Sequence, residues 1–302
     1  MTANAQTDGF PWTNKRVLVS GATGFIGSGV TERLVDLSAE VAAITRTQPK
    51  SESVNWINVA NGDSFPSHAI AEFNPEVVIH LATRFQASHS PSDIKELIRS
   101  NIEFGTLLLD SATKSGAAFV NINSAWQHFE SKPYSPVSLY AATKQAFSDI
   151  AQYYGETGLD LRNLTIYDTY GPTDQRNKLV RQLLDAVKNN KQIDMGPGNQ
   201  LINLLFLSDV VSAILRTAEL PTAPMIQDYV ARAQNSISIR ELVTVIEQVT
   251  GKELNANWGA REARPREMTS DWVFGHVLPV WKQQIDLEEG LRLCWQEVNS
   301  AT

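Results

Sequence analysis

Apolar and polar positions follow two alternating periods along the first half of this chain. Short apolar runs predict strands over 16–20, 41–45, 55–59, 76–81, 118–122 and 163–167. Between them, apolar residues recur at helical spacing over 24–37, 67–73, 92–114 and 139–156. Strands that take turns with helices predict an α/β fold, a doubly wound parallel sheet with helices on both faces. After Gly171-Pro172 the pattern loosens. Loops are expected near 196–199, 221–224 and 258–266, and helices over 178–189, 208–219 and 239–250. The expected division is a loose arm over 1–14, a nucleotide-binding domain over 15–168, and a smaller substrate-binding lobe over 169–302. Some segments of that lobe return to the first domain.

Residues 21–27, Gly-Ala-Thr-Gly-Phe-Ile-Gly, follow the first strand and open the first helix. Three glycines at this spacing permit a tight turn, let a phosphate approach the backbone, and let helix and strand pack closely. The helix N-terminus offers unpaired N–H groups to a pyrophosphate. Gly21, Thr23, Gly24, Phe25, Ile26 and Gly27 are therefore candidate dinucleotide ligands, and the sheet is expected to be of the Rossmann type. Close packing alone is the competing explanation of the glycines.

Composition narrows the function. The 302 residues carry a net charge of −7, which provides no basic stripe for nucleic acid. No apolar run reaches membrane-spanning length, and the first residues lack the apolar stretch of a secretory signal. The single cysteine, Cys294, excludes an intrachain disulfide and suits a reducing cytoplasm. The five histidines show no metal-ligand spacing, so no metal is expected.

Tyr140 and Lys144 share one face of the helix over 139–156. An ammonium there is expected to lower the tyrosine pKa, so that the phenol exchanges a proton with a substrate oxygen. Ser124 follows the strand over 118–122 and lies at its carboxyl end. Its hydroxyl is placed either to hold a carbonyl oxygen beside the tyrosine or to cap a turn.

In order, Gly21-x-x-Gly24-x-x-Gly27, His80-Leu81-Ala82, Asn101, Ser124, Tyr140-x-x-x-Lys144 and Tyr170-Gly171-Pro172 resemble the extended short-chain dehydrogenase/reductase family, the NAD-dependent epimerase/dehydratase group. The resemblance covers nearly all of the chain after residue 14. It implies that Ser124, Tyr140 and Lys144 are catalytic. It also implies that Leu81, Ala82, Thr83, Asn101, Tyr140 and Lys144 bind the cofactor, with Asn101 facing the nicotinamide region, and that Asp63 contacts adenine. A homodimer through the helices over 92–114 and 139–156 is the family expectation.

The second strand ends Ile44-Thr45-Arg46, without the carboxylate that would bind a ribose 2′-hydroxyl. Arg46 can hold a 2′-phosphate instead, so NADP (NADPH) is the expected cofactor. A solvated Arg46 is the alternative. Ala125-Trp126 stands where sugar dehydratases of the family carry an Asp-Glu pair, which argues against dehydration.

The segments 123–129 and 167–179 resemble the abequose and paratose synthase branch, nucleotide-linked 4-keto-deoxysugar 4-reductases. That resemblance implies NADPH-dependent reduction of a nucleotide-linked 4-keto-6-deoxyhexose. Ala125, Trp126, Gln127, His128 and Asp168 are then expected around the sugar. Residues 200–204 lack the basic residue that many relatives place there, so Arg176, Lys178 and Arg264 are candidates for the diphosphate, with Arg261 and Arg266 nearby. Trp258 and Trp272 are either base platforms or core. A 4-epimerase with bound NAD and a non-catalytic dinucleotide sensor are the rival expectations.

Overall fold

Val17, Leu18 and Val19 are fully buried, and the strand they form lies in the interior of the sheet. The computed structural model describes residues 12–46, 52–59, 65–222, 226–270, 272 and 275–300. The first half runs β1 (Arg16–Ser20), α1 (Phe25–Asp36), β2 (Glu40–Thr45), β3 (Asn55–Asn58), α2 (Ser67–Phe73), β4 (Val77–His80), α3 (Ile94–Ile98), α4 (Phe104–Ser115), β5 (Ala118–Ser124), α5 (Leu139–Glu156) and β6 (Leu161–Ile166). The second half runs β7 (Asp168–Tyr170), α6 (Leu179–Lys188), β8 (Ile193–Met195), β9 (Leu201–Ile202), β10 (Leu204–Phe206), α7 (Leu207–Glu219), β11 (Asp228–Ala231), β12 (Ile237–Ser238), α8 (Ile239–Thr250), β13 (Ala256–Trp258), β14 (His276–Val277) and α9 (Leu287–Ser300).

Eight strands form one sheet in the order β3-β2-β1-β4-β5-β6-β11-β14, and every pair is parallel. Both faces are covered, which is why these strands read as apolar runs rather than as alternations. Val19, Val30 and Ile214 pack on the face of α1 and α7. Leu18, Leu108, Phe119 and Phe147 pack on the face of α2, α4 and α5. A separate core joins Leu183 of α6, Leu242 of α8 and Leu291 of α9. Strand order reverses between β1 and β4. That reversal opens a crevice at the carboxyl ends of the strands, where doubly wound sheets bind their ligands.

The structure departs from the expected pattern in three places. The helix expected over 92–114 is broken: a 3₁₀ turn (Pro91–Asp93) leads into α3, and a π-helical stretch (Arg99–Glu103) separates α3 from α4. Asn101 lies in that stretch, and its side chain is held from two sides. β5 runs two residues further than expected and carries Ser124 to its end. β7, β8, β11 to β14 and α9 were not expected. β11 is four residues long and buried only in its second half, and α9 opens on Glu288 and Glu289, which obscure its apolar face.

Two glycines explain why the β1–α1 turn is built as it is. Gly21 has φ +73°, and a Cβ on it would stand 2.6 Å from the Ala82 nitrogen. A Cβ on Gly27 would stand 2.0 Å from the Gly21 carbonyl oxygen. Gly116, the C-cap of α4, has φ +68° but nothing within 4 Å of its Cβ position. Gly116→Ala should therefore cost only the left-handed backbone penalty, about 1 kcal/mol. Gly27→Ala must displace backbone and should cost about 3 kcal/mol or more. Urea unfolding of the two variants checks this, and equal losses would contradict the close-approach account.

Candidate active site

The crevice is built around β1, β4 and β5. Ser20 at the end of β1 and His80 at the end of β4 share a buried hydrogen bond, Oγ to Nδ1, of 2.7 Å. The Ala82 backbone N–H donates to the same Ser20 oxygen at 3.3 Å. Burial holds His80 neutral, with its pKa pushed down to about 3, and the Lys144 ammonium adds to the effect. The imidazole packs among Phe104, Phe119 and Phe147. It acts as a core residue that ties the loop after β4 to the glycine turn.

The glycine turn fits a dinucleotide. The Gly24 N–H donates to the Gly21 carbonyl at 2.9 Å, and Gly24 caps α1 with no side-chain hydrogen bond. The first N–H groups of α1 are thus left without a side-chain partner, which is the donor set a pyrophosphate requires. Thr23 is exposed on this turn, and Phe25 and Ile26 are half-buried. Leu81 and Ala82 form the opposite wall, pressed against Gly21. Arg46 is exposed directly after β2, whose last residues, Ile44 and Thr45, carry no carboxylate. Asp63 lies outside the described residues.

Ser124, Tyr140 and Lys144 come together where β5 ends and α5 begins. Ser138 caps α5 by accepting from the Ala141 N–H at 3.3 Å, which sets Tyr140 in the first turn. Tyr140 and Lys144 are 8% and 4% exposed. The hydroxyls of Ser124 and Thr83 stand on the tyrosine side of the crevice and favour its ionised form. Lys144 was expected to lower the tyrosine pKa. Instead burial dominates, and Tyr140 is pushed up to about 12 against the opposing effect of the Ser124 and Thr83 hydroxyls. Burial also pulls Lys144 down to about 8. Both charged forms lose solvation in the same crevice, and that cost exceeds any attraction between them.

Asn101 was expected to face the nicotinamide. Its side chain is fully engaged within the protein: Oδ1 accepts from the Arg84 N–H at 2.7 Å and the Thr83 hydroxyl at 3.1 Å, and Nδ2 donates to Thr143 Oγ1 at 2.9 Å and the Arg84 carbonyl at 3.1 Å. Asn101 clamps the loop after β4 to α5, and so sets Thr83 beside Tyr140.

A cleft of about 610 Å³ runs from Trp126 and Leu139 across the second lobe to Met195, Gln200 and Ile239. Of the expected substrate residues, Trp126, Asp168, Lys178 and Arg264 line it. The other four do not. Ala125 and Gln127 are buried, at 3% and 2% exposure. His128 turns outward: its Nδ1 meets the Pro133 carbonyl at 2.9 Å, and its ring stacks on Trp272 at 4.0 Å. Arg176 makes a two-pronged ion pair with buried Asp174, at 2.7 and 2.8 Å, and lies 4.3 Å over the Phe25 ring. Those bonds commit its guanidinium. Trp272 is buried against His128 and Tyr167, so it is core. Arg240 covers the face of Trp258 at 4.3 Å.

Phe85 is a cleft residue that pattern reasoning missed. Its ring meets Tyr140 edge-on at 5.0 Å and Trp126 at 5.3 Å. The Lys178 ammonium sits 3.6 Å over the Phe85 ring and 4.0 Å from Asp168, while Arg264 lies 5.5 Å over Trp126. The signal available in the sequence was a large aromatic in the loop directly after a central strand, where apolar side chains have no local reason to stand. Arg266 bonds the Pro136 carbonyl at 3.0 Å and Ser135 Oγ at 2.6 Å, fastening the far rim of the cleft to the 128–137 loop.

The model of the NAD dependent epimerase/dehydratase family matches residues 17–230. The chain is 28% identical over 289 residues to CDP-abequose synthase of Salmonella typhimurium, covering 91% of this chain and 95% of the relative. It is 27% identical over 305 residues to UDP-glucose 4-epimerase of Mycolicibacterium smegmatis, covering 91% and 96%. A solved structure of UDP-glucuronic acid 4-epimerase from Bacillus cereus, with UDP-glucuronic acid and NAD, has the same fold. Its TM-score is 0.83 at 18% identity, over 94% of this chain and 98% of that one.

The buried lysine carries a stability signature. Below about pH 8 Lys144 is charged in both the folded and unfolded chain, and its burial is a cost. Between about 8 and 10.5 the unfolded chain holds the extra proton, so this group makes stability rise with pH. Lys144→Met should stabilise the protein without cofactor at pH 7 by up to about 3 kcal/mol, and should flatten that rise. Urea denaturation across pH measures both. A destabilised variant with an unchanged pH dependence would contradict the burial account.

Proposed function

This chain belongs to the NAD dependent epimerase/dehydratase family, and from that premise we propose that it uses NADPH to reduce the C4 ketone of a nucleotide-linked 4-keto-6-deoxyhexose. The observation that carries this reading is the surface beside Tyr140. Phe85 and Trp126 present aromatic carbon there. An aromatic wall favours a methyl or methylene and leaves a hydroxyl without a partner, which suits a deoxygenated sugar.

A dinucleotide held by this crevice would supply the hydride. Tyr140 supplies the proton: burial keeps its phenol protonated through the neutral range, which is the state a ketone reduction demands. Ser124 holds the substrate oxygen against that phenol. Lys144 stands one helical turn along to hold the nicotinamide ribose. Leu81, Ala82 and Thr83 close the crevice, and Gly21, Gly24 and Gly27 receive the pyrophosphate. Arg46 at the end of β2 favours a 2′-phosphate over a free ribose. Lys178 and Arg264, the cations on the cleft wall beside Trp126, are suited to the substrate diphosphate. The name CDP-abequose synthase among the relatives agrees with this chemistry. Leu107 on α4 and Tyr153 on α5 are exposed apolar residues, which favours a homodimer built on these helices.

A 4-epimerase retaining NAD is the second reading, supported by relatives and structural neighbours of that name. Stoichiometry separates the two. CDP-, dTDP- and UDP-linked 4-keto-6-deoxyglucose, each in excess over 4-deuterated NADPH, are followed at 340 nm. The expected result is consumption of all the NADPH with one of these substrates, deuterium at C4 of the product, and turnover with NADH at least about 10-fold slower. Interconversion of 4-hydroxy sugars without added cofactor, and with no label at C4, would establish the epimerase instead.

A further inference from the structure

Gln127 is buried among the residues that frame Ser124, yet it touches no part of the cleft. Its Oε1 accepts from the Ser124 backbone N–H at 2.9 Å, and its Nε2 donates to Gln145 Oε1 at 2.9 Å. Gln145 is on α5, the residue after Lys144, and its own amide donates to Asp149 Oδ1 at 2.9 Å. The direction of this chain is set at its start. The Ser124 N–H can only donate, so Gln127 must present its oxygen there and its NH₂ to α5. A continuous run of hydrogen bonds therefore joins the end of β5 to the helix that carries Tyr140.

The same glutamine fixes the serine hydroxyl. Residues Ala125–Gln127 form a 3₁₀ turn, and Ser124 caps it in a reciprocal box with Gln127. Ser124 Oγ accepts from the Trp126 N–H at 3.3 Å, and from the backbone of Gln127 within that box. A hydroxyl has one proton and two lone pairs. With its lone pairs turned to the N–H groups of the cap, its one proton is left free for the tyrosine side, where the hydroxyl favours the ionised phenol.

We propose that Gln127 is a positioning residue, which locks Ser124 as the cap of this turn and ties the turn to Gln145, so that the Ser124 hydroxyl stands as a fixed donor at the oxygen shared by Tyr140 and substrate. The inference rests on the reading that Ser124 and Tyr140 act on the substrate oxygen. It does not depend on which sugar is used. A Ser124 that only donates favours the phenolate, in the direction opposite to burial. Releasing it should therefore make the phenol harder to ionise.

Gln127→Met and Gln145→Met each break the run while keeping side-chain length, and the second is at a half-buried site where folding is little threatened. The probe is the nucleotide-linked 4-keto-6-deoxyglucose that turns over, reduced with NADPH, and its product reoxidised with NADP⁺. Ser124→Ala is the control. Both variants should keep the KM for NADPH within about 2-fold and lose about 10-fold or more in kcat. The pH midpoint of the oxidation should move up by about one unit. The double variant should be no worse than the poorer single variant, because the two residues act through one run of bonds. A loss of kcat with an unmoved pH midpoint, or full activity in Gln145→Met, would overturn the proposal. If Ser124→Ala itself leaves rate and pH midpoint unchanged, the reading of Ser124 fails first, and the two failures are distinguished.

Discussion

The buried bond between Ser20 and His80 is the junction on which the site depends. It joins the ends of β1 and β4 at the point where strand order reverses. Two of the loops that line the site are tied together by it. On one side the chain turns at Gly21 and enters α1 with its first N–H groups free of side-chain caps. On the other it runs through Ala82, pressed on Gly21, to Thr83 beside Tyr140 and Phe85 against the tyrosine ring. Burial among three phenylalanines keeps the imidazole neutral, so the junction holds no buried charge.

From that junction the chemistry follows by desolvation. Tyr140 and Lys144 are both withdrawn from water, so each resists its charged form. The protein offsets this for the tyrosine with two hydroxyls, those of Ser124 and Thr83, and each is itself held from behind. Thr83 is held by Asn101, which lies in the π-helical break between α3 and α4. Ser124 is held by Gln127 and the turn it caps. The break in the helix and the buried glutamine are two parts of one arrangement, in which loops at the strand ends are fastened to α5 so that the phenol has fixed neighbours.

Much of this was legible in the sequence, and the limit has a physical form. Strands such as β1 and β5 declare themselves because burial on both faces demands an unbroken apolar run. Gly21 and Gly27 declare themselves because no other residue fits the approach to Ala82 and to the Gly21 carbonyl. Tyr140 and Lys144 are one helical turn apart, so their partnership is local. Phe85, Gln127 and Arg176 were misjudged for the opposite reason. Their partners stand far along the chain or across the sheet: Phe85 against Tyr140, Gln127 against Gln145, Arg176 over Phe25. Spacing carries no record of such contacts. Segment 123–129 shows the consequence, since four consecutive residues were expected around the sugar and only Trp126 reaches the cleft. The others serve the turn that aims Ser124.

The central claim is that one buried phenol, held by Ser124, donates the proton in a site whose dinucleotide cradle is built separately from β1 and α1. Tyr140→Phe removes that oxygen and leaves the ring packed against Phe85. Steady-state turnover and the NADPH dissociation constant, measured on the same folded variant, test the claim directly. The account predicts a fall in kcat of about 10²-fold or more with NADPH affinity unchanged within about 2-fold. A variant that keeps most of its turnover, or that loses NADPH binding along with it, would contradict the account.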